Sequence, residues 1–476
     1  MSSGASAHAL TDTAVPTRPG LVHARRLAAL VVALAILRGA LGAILNAPGI
    51  GPDERGHLQY LQTFATGGWS GVQGVEARQP PTGYLPALAI WWLAGGPTDP
   101  QSQVFAPVTL SAPTLGARLA SVAWSGVTAW ATWHLARVTW PSRPWMALLG
   151  TTLASLTPGY LYVMASVTNE PAATALATLA IFATARAIHA PSPQRRAELA
   201  IWAIAAVAAV TTKLTNAPVV LATGVTLLWA LRASWRPWLH RRPIRLAAWA
   251  AGAIALAGYG ALLTRHPSSS YAATAARVWP EAIVTGSIAF VRDGAATEAL
   301  RTFWHAWDYD VAWPPDLDGA LTFMLATGVG LAAFGAIAGT LLGASPFART
   351  ISTRHAFLWF PVIAQVGFAV VRFGIGTVAG AMMGGAAQAK TFFPAIAPAS
   401  LLGAAGLVTV ASLAWSVVTR PRTLHEGDAA ARPGREDASL VRSVTLAVIA
   451  CLLAADLIGL AASIWRHGRW IVPGAP

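Results

Sequence analysis

The sequence predicts an all-α polytopic membrane protein, with about eleven transmembrane helices and with interfacial helices in two long outer loops. Only 11% of its 476 residues are charged and 55% are hydrophobic, whereas a soluble domain carries about 25% charged residues. Apolar runs of about 20 residues, the length that crosses a bilayer as a helix, recur along the chain. The predicted spans are 27–46, 114–136, 145–165, 172–189, 198–212, 217–231, 246–264, 319–343, 356–372, 392–417 and 443–464.

The net charge of +14 does not indicate nucleic-acid binding, because the arginines are scattered between apolar segments and form no single basic domain. Their distribution instead predicts the orientation. With the N-terminus in the cytoplasm, the shorter loops carrying most of the 33 Lys and Arg residues lie inside. The long loops 47–113 and 265–318 then lie outside the plasma membrane. The single cysteine, Cys451, excludes an internal disulfide and is expected to be a buried thiol.

This topology divides the chain into four segments. Residues 1–26 form a cytoplasmic tail, 27–417 the main transmembrane module, 418–442 a solvated cytoplasmic linker, and 443–476 the last helix with a short outer tail. Residues 84–93 in the first outer loop are apolar and rich in tryptophan, but they are too short to span. We expect them to lie along the membrane surface, where indole rings concentrate.

Asp53, Glu54 and His57 form an ionisable cluster directly after the first span. Charged groups at a membrane rim cost desolvation free energy, so such a cluster indicates function. If a helix follows Pro52, Asp53 and His57 share one of its faces. Asp53 is then either a general base, or a metal ligand together with His57, or simply the N-cap of a helix with Glu54 in its first turn.

Further ionisable residues are predicted at the outer ends of spans. Glu170, in the run Asn169-Glu170-Pro171, either begins a helix or faces Asp53 across one cavity. The only two lysines, Lys213 and Lys390, occur in a chain that otherwise uses arginine. They either bind an anionic headgroup, such as a phosphate, or extend to the interface.

Two arginines, Arg118 and Arg372, have the same outer placement and the same two interpretations. Arg38 and Asp456 lie inside the first and last spans at similar depths. An unpaired charge there would be costly, so we expect them to pair across adjacent helices.

His305, Asp308 and Asp310 in the second outer loop are further candidates for substrate binding. The alternative is an interfacial aromatic segment with solvated acids.

Four short motifs carry a resemblance to a known family. They are Pro52-Asp53-Glu54…His57, Arg78-Gln79-Pro80-Pro81-Thr82-Gly83-Tyr84-Leu85, Thr211-Thr212-Lys213-Leu214-Thr215 and Gln388-Ala389-Lys390-Thr391-Phe392-Phe393-Pro394-Ala395. With their order and topology, the chain resembles the GT-C superfamily of polyprenyl-phosphate-sugar glycosyltransferases. More closely, it resembles a bacterial GT-C-like family of predicted membrane proteins of unknown function. The resemblance covers most of residues 27–417.

The chain departs from that family at two positions. Gln79 stands where the family usually has His, which weakens any role assigned to that histidine. Ala389-Lys390-Thr391 stands where the family usually has Gly-Arg-Tyr. Lysine keeps the positive charge but loses the bidentate fork that arginine offers a phosphate.

The resemblance implies a GT-C-like bundle that moves a sugar, with inversion, from a polyprenyl-phosphate donor to an extracytoplasmic glycolipid, cell-wall glycan or protein. Asp53 would deprotonate the acceptor hydroxyl or bind a metal, and Glu54 or Glu170 would assist. The departing lipid phosphate would be held by Lys213, Arg372 or Lys390. Some members of the superfamily use a divalent cation such as Mg or Mn, and others use none. Substrate binding is also assigned to His57, Gln79, Asp308 and Asp310.

Two alternatives belong to other classes of protein. One is a transporter or flippase for a lipid-linked or anionic substrate, and the other is a non-catalytic subunit of a cell-envelope assembly. A transporter places its ionisable residues near the bilayer midplane. Here most acids lie in outer loops, and only Arg38 and Asp456 fit that pattern.

Overall fold

The structure, a computed structural model, describes residues 18–96, 110–232, 281–304, 326–337, 356–378, 389–418 and 433–467. Short gaps fall at 47, 50, 52, 69–70, 73–75 and 77–78 in the first range and at 282, 286, 291 and 293–294 in the third. The predicted span 246–264 and the candidates His305, Asp308 and Asp310 lie outside the described residues.

The regular structure of the described residues is helical. The α-helices are α1 (Arg18–Leu45), α2 (Glu54–Gly67), α3 (Leu85–Leu93), α4 (Ala112–Thr139), α5 (Pro144–Ser155), α6 (Pro158–Met164), α7 (Glu170–His189), α8 (Ser192–Thr212), α9 (Ala217–Ala230), α10 (Ala295–Trp304), α11 (Ala326–Ile337), α12 (Ala356–Val378), α13 (Ile396–Val418) and α14 (Pro433–His467). Short 3₁₀ helices occur at Thr82–Tyr84, Leu214–Asn216 and Ala389–Ala395.

Five helical segments in the described ranges are long and apolar enough to cross a membrane: Gly20–Leu45, Glu170–His189, Phe357–Ile375, Lys390–Trp415 and Ala438–Ile458. They confirm the prediction of an all-α, multi-pass membrane protein. Some boundaries differ from the prediction. Helix α1 begins within the predicted tail 1–26, and α14 begins within the predicted linker 418–442.

The predicted span 145–165 is divided into α5 and α6. Thr157, between them, has an extended backbone with φ −63° and ψ 120°. The next residue is Pro158, whose ring disfavours helical geometry in the residue before it. The break leads the chain through Ser166–Asn169 to the start of α7, where Pro171 occupies the first turn. Proline is favoured there because its missing N–H has no helical partner in any case.

The main apolar core lies where α4, α5, α7, α9, α12, α13 and α14 meet. Its buried side chains include Leu135, Leu149, Ile181, Phe357 and Leu401. A second apolar cluster fixes the first outer loop on this bundle, and it contains Leu61 of α2, Leu88 and Trp91 of α3, and Ala117 of α4. Burying a leucine of this kind stabilises the packing by about 1.5–3 kcal/mol.

Helix α3 supplies the predicted interfacial segment of the first outer loop. Its inner face carries the buried Leu88 and Trp91, while Trp92 and Leu93 at its end are exposed. One face of this apolar helix thus packs on the protein, while the apolar side chains at its end are not covered by the described residues.

Arg38 and Asp456 form the predicted ion pair. Arg38 Nε donates to Asp456 Oδ2 at 2.5 Å, and both side chains are buried between α1 and α14. The pair is confirmed as a structural link between the first and last described helices. The expectation for Cys451 is wrong, because this thiol lies on an exposed face of α14.

Candidate functional site

Asp53 stands at the N-cap position of α2 but does not act as a cap. Its side chain makes no capping hydrogen bond, and its backbone is left-handed, with φ 59° and ψ 11°. It is the only non-glycine residue with positive φ among the described residues. Such backbone strain concentrates at functional sites, where surrounding structure enforces it. The N-cap interpretation therefore does not account for this carboxylate.

The Asp53 carboxylate forms an ion pair with Lys390, which lies 337 positions later in the chain. The side chain of Asp53 is 52% exposed and that of Lys390 is 13% exposed. Partial burial alone would raise the pKa of Asp53, but the charge of Lys390 and its hydrogen bond outweigh this and lower it. The carboxylate is thus ionised, accessible and already paired with a cation.

Glu54, the adjacent acid, points the other way and is fully buried against Arg118. Its Oε1 accepts from Arg118 Nε at 2.7 Å and from the Val167 amide at 2.9 Å. Its Oε2 accepts from Arg118 Nη2 at 2.7 Å and from the Gly49 amide at 2.8 Å. Both carboxylate oxygens are therefore occupied, and Glu54 has no free face for the catalytic role assigned from sequence.

Arg118 is fully buried as well. Its Nη1 donates to the carbonyls of Ala43 and Asn46, each at 2.8 Å, at the end of α1. Together with the bidentate Glu54 pair, these bonds hold α4, the end of α1 and the start of α2 in one arrangement. The structure thus engages Arg118 in a buried clamp beside the site.

His57 is buried, and both of its ring nitrogens have partners. Nδ1 lies 2.5 Å from Tyr84 Oη, and Nε2 lies 3.0 Å from Thr168 Oγ1. Burial, then the charge of Lys213, lowers the pKa of His57 to about 3, although Asp53 opposes this. The imidazole is therefore neutral at physiological pH. It links α2 to Tyr84 in the Thr82–Tyr84 helix and to Thr168 before α7. Tyr84 also stacks on Tyr60 of α2, with ring centroids 4.0 Å apart.

Gln79 connects the Pro-Pro motif to the start of α7. Its side-chain oxygen accepts from Asn169 Nδ2 at 3.2 Å, and the same nitrogen donates to the Thr212 carbonyl at 3.2 Å. Gly83 packs so closely here that an added Cβ would lie 2.5 Å from Thr212 Cγ2 and 3.3 Å from the Asn169 Cβ. Two of the four sequence motifs, those containing Gln79 and Thr212, therefore meet the Asn169-Glu170-Pro171 run at this point.

Glu170 and Lys213 form a second ion pair in the same region. The Lys213 side chain is 11% exposed and that of Glu170 is 4% exposed. Asn169 Oδ1, Glu170 Oε2 and Thr212 Oγ1 are buried without a hydrogen-bond partner in the described protein. The positive charges of Lys390 and Arg372 act on Lys213. The site thus gathers three cations that the sequence nominated.

Glu76 is a site residue that the sequence analysis missed. It is buried, it hydrogen-bonds to Gln79, and its Cγ lies 3.0 Å from where a Cβ on Gly56 would be. Burial raises its pKa, although the charge of Lys213 opposes this. The only signal was an acid three residues before Gln79, within a mixed polar loop that gave no reason to single it out.

The described residues do not fit a metal centre. No group of three or more His, Cys, Asp or Glu side chains is placed to hold an ion within the described ranges. Of the two ligands predicted from sequence, His57 has both ring nitrogens engaged and Asp53 is paired with Lys390.

The site therefore belongs to an all-α multi-pass membrane protein and combines one accessible carboxylate with several cations. The sequence matches no protein-family model and no curated protein. Among solved structures, the chain is similar to the oligosaccharyltransferase AglB from Archaeoglobus fulgidus in complex with an inhibitory peptide and a dolichol-phosphate. Identity is 13%, the TM-score is 0.46, and the match covers 92% of this chain and 56% of that one.

It is also similar to ArnT from Cupriavidus metallidurans bound to undecaprenyl phosphate. Identity is 14%, the TM-score is 0.37, and the match covers 84% of this chain and 80% of that one. The apo state of the same ArnT gives 16% identity and a TM-score of 0.38, covering 83% and 79% of the two chains.

Proposed function

We propose that the protein is a membrane glycosyltransferase that moves a sugar from a polyprenyl-phosphate donor to an acceptor outside the plasma membrane. The observation that carries the proposal is the placement of the half-exposed Asp53 carboxylate next to Lys390, with the charge of Lys213 acting on Asp53 and the charge of Arg372 acting on Lys213. A carboxylate of this kind suits proton abstraction, and the cations suit a phosphate. The GT-C resemblance of the motifs supports the same assignment.

In the proposed reaction, the acceptor hydroxyl loses its proton to the Asp53 carboxylate while its oxygen attacks the anomeric carbon of the donor sugar. A new glycosidic C–O bond forms as the bond between the sugar and the phosphate oxygen breaks. The phosphate keeps the electron pair of that bond, and Lys390 and Lys213 stabilise the charge that develops. The attack comes from the face opposite the leaving group, so the anomeric configuration is inverted.

The other residues of the site hold this arrangement. The pair of Glu54 with Arg118 fixes the first turn of α2, which carries Asp53. The neutral His57 holds Tyr84 and Thr168 together beneath that turn. Glu170 holds Lys213, and the buried Glu76 supports Gln79 through a hydrogen bond. Positioning of this kind contributes to the rate by keeping the reacting groups aligned.

The proposed partners follow from this reaction. The donor is a lipid-linked hexose or pentose, and the acceptor is a glycolipid, a cell-wall glycan or a protein. The membrane itself supplies the donor, whose lipid tail stays in the bilayer while its phosphate reaches the outer ends of the spans. The orientation with these loops outside remains the sequence-based proposal.

The experiment uses proteoliposomes that contain polyprenyl-phosphate sugars labelled in the sugar, with a cell-envelope fraction as the source of acceptor. The proposal expects label in a new product and an equal amount of free polyprenyl phosphate. Asp53→Asn should form far less of this product. Its matched control Glu198→Gln should react like wild type, because Glu198 pairs with Arg186 at the other ends of α7 and α8. Movement of intact donor between leaflets, with no bond cleaved, would identify a flippase instead.

A further inference from the structure

The ion pair between Asp53 and Lys390 joins two residues that the proposed reaction needs separately. The base must accept a proton, and the lysine must bind the phosphate of the donor. In the structure each neutralises the other. A carboxylate held by an ammonium group is a weaker base, and an ammonium group held by a carboxylate is a weaker phosphate ligand.

We propose, on the basis of the function above, that Asp53 and the donor phosphate compete for Lys390, so that donor binding itself releases Asp53 as the base. Before the donor binds, Lys390 occupies Asp53. When the donor enters, the lysine turns to the phosphate, and the carboxylate is left for the acceptor hydroxyl.

The backbone around Asp53 makes it the fixed member of this pair. The Glu54 amide donates to the Gly51 carbonyl at 3.0 Å, and the His57 amide donates to the Asp53 carbonyl at 3.1 Å. Glu54, the next residue, is locked by four hydrogen bonds to its carboxylate. The backbone of Asp53 is held in a left-handed conformation, so Asp53 is not free to move with Lys390 when the lysine leaves.

Lys390 is the movable member. Its ammonium group stands at the end of a flexible four-carbon stem and has three rotatable donors. Its backbone belongs to the short helix Ala389–Ala395, which packs against α6, α7, α10, α12 and α13. A change of side-chain rotamer is therefore sufficient to exchange partners, with no movement of the helix. The half-exposed carboxylate leaves one side of the pair open to an incoming anion.

The second pair, Lys213 with Glu170, gives a contrast within the same site. Both of its side chains are nearly buried, and Glu170 stands at the first residue of α7. Breaking that pair would leave a buried charge without a partner, which is strongly unfavourable. Lys213 therefore supplies a constant positive charge, whereas Lys390 is exchangeable.

The charges around Asp53 determine how its pKa changes when Lys390 turns to the donor phosphate. Besides Lys390, it faces the positive charge of Lys213 and the neutral imidazole of His57, and Glu76 lies in the same electrostatic neighbourhood. Partial burial favours the protonated form of Asp53, and Lys390 is the largest opposing charge. Loss of this partner raises the pKa of Asp53 and so makes it a stronger base at the moment when the donor is in place.

The test measures binding of undecaprenyl phosphate to the full-length protein in nanodiscs, with no reaction required. The variants are Asp53→Asn, Lys390→Met, the double variant and the remote control Glu198→Gln. Asparagine tolerates the left-handed backbone of position 53. Melting temperatures confirm that each variant is folded, and Lys390→Gln replaces Lys390→Met if the latter is not.

If Asp53 and the phosphate compete, Asp53→Asn should bind the lipid about two- to fivefold more tightly than wild type. The free energy of a half-exposed ion pair corresponds to a change in affinity of about this size. Lys390→Met should bind about tenfold more weakly. In the Lys390→Met background, Asp53→Asn should bring no further gain. Glu198→Gln should bind like wild type.

A gain from Asp53→Asn that persists without Lys390 would show simple charge repulsion and overturn the proposal. Unchanged affinity in Asp53→Asn, with a loss in Lys390→Met, would also overturn it while leaving the proposed function intact. If wild type itself does not bind the lipid, the donor assignment and the competition both fail.

Discussion

Replacing Glu54 by glutamine tests whether this residue is part of a structural clamp or is a catalytic acid. The substitution keeps the shape of the side chain but removes the charge that neutralises the fully buried Arg118. Each carboxylate oxygen accepts two hydrogen bonds, from Arg118 and from one backbone amide. Whichever way the new amide is turned, its NH₂ group faces two donors. No flip of the side chain restores the bonds.

The expected cost is about 3–5 kcal/mol, the usual effect of removing one partner from a buried ion pair. Since the whole stability of a domain is about 5–15 kcal/mol, this is a large fraction of it. The assay is thermal unfolding of the purified protein in detergent, followed by tryptophan fluorescence. Asp53→Asn is the matched control, because its half-exposed pair with Lys390 contributes only about 0–1 kcal/mol.

A Glu54→Gln protein with the melting temperature of wild type but no transferase activity would refute this reasoning. That result would return Glu54 to the catalytic role predicted from sequence. A fall in melting temperature that also appears in Asp53→Asn would show a general sensitivity of this loop, and would likewise remove the distinction between the two acids.

Three further predictions concern stability. The pKa of His57 is about 3 when folded and 6.5 ordinarily, so below pH 6.5 the unfolded chain takes up a proton that the folded chain does not. Stability is therefore lost as the pH falls, by about 2 kcal/mol between pH 7 and pH 5, and His57→Gln should flatten a denaturation series across this range. Arg38→Met should destabilise the protein by about 3–5 kcal/mol, and the double variant with Asp456→Leu should recover most of that loss in the same unfolding assay; equal loss in both would contradict the pairing. Gly83→Ala should cost about 1–3 kcal/mol, because its Cβ would lie 2.5 Å from Thr212 Cγ2; an unchanged melting temperature would contradict that packing.

Most helices of the bundle could be predicted from the sequence. Apolar runs of spanning length predicted most of the described helices, and the cost of an unpaired charge in a span predicted the pair of Arg38 with Asp456. The break between α5 and α6 was not predicted, although Pro158 marks it. Hydropathy averages over such a break because the segments on both sides of it are predominantly apolar.

The candidate site could be predicted only in part from the sequence. The motifs containing Asp53, Lys213 and Lys390 were nominated from order and charge, and the structure brings them together. The different roles of Asp53 and Glu54 could not be predicted. They depend on the left-handed backbone of Asp53, which directs the two adjacent side chains in opposite directions. Glu76 was hidden as well, since its burial arises from contact with Gly56.

The most direct test of the account is a single-turnover measurement with polyprenyl-phosphate sugar already bound to the protein in proteoliposomes. Release of polyprenyl phosphate is followed after addition of the acceptor fraction, for wild type and for Asp53→Asn. Removing a general base costs about 10²–10⁴ in rate. If Asp53 is the base, Asp53→Asn shows such a loss while it binds the donor at least as tightly as wild type does. Equal rates of release in the two proteins would contradict it.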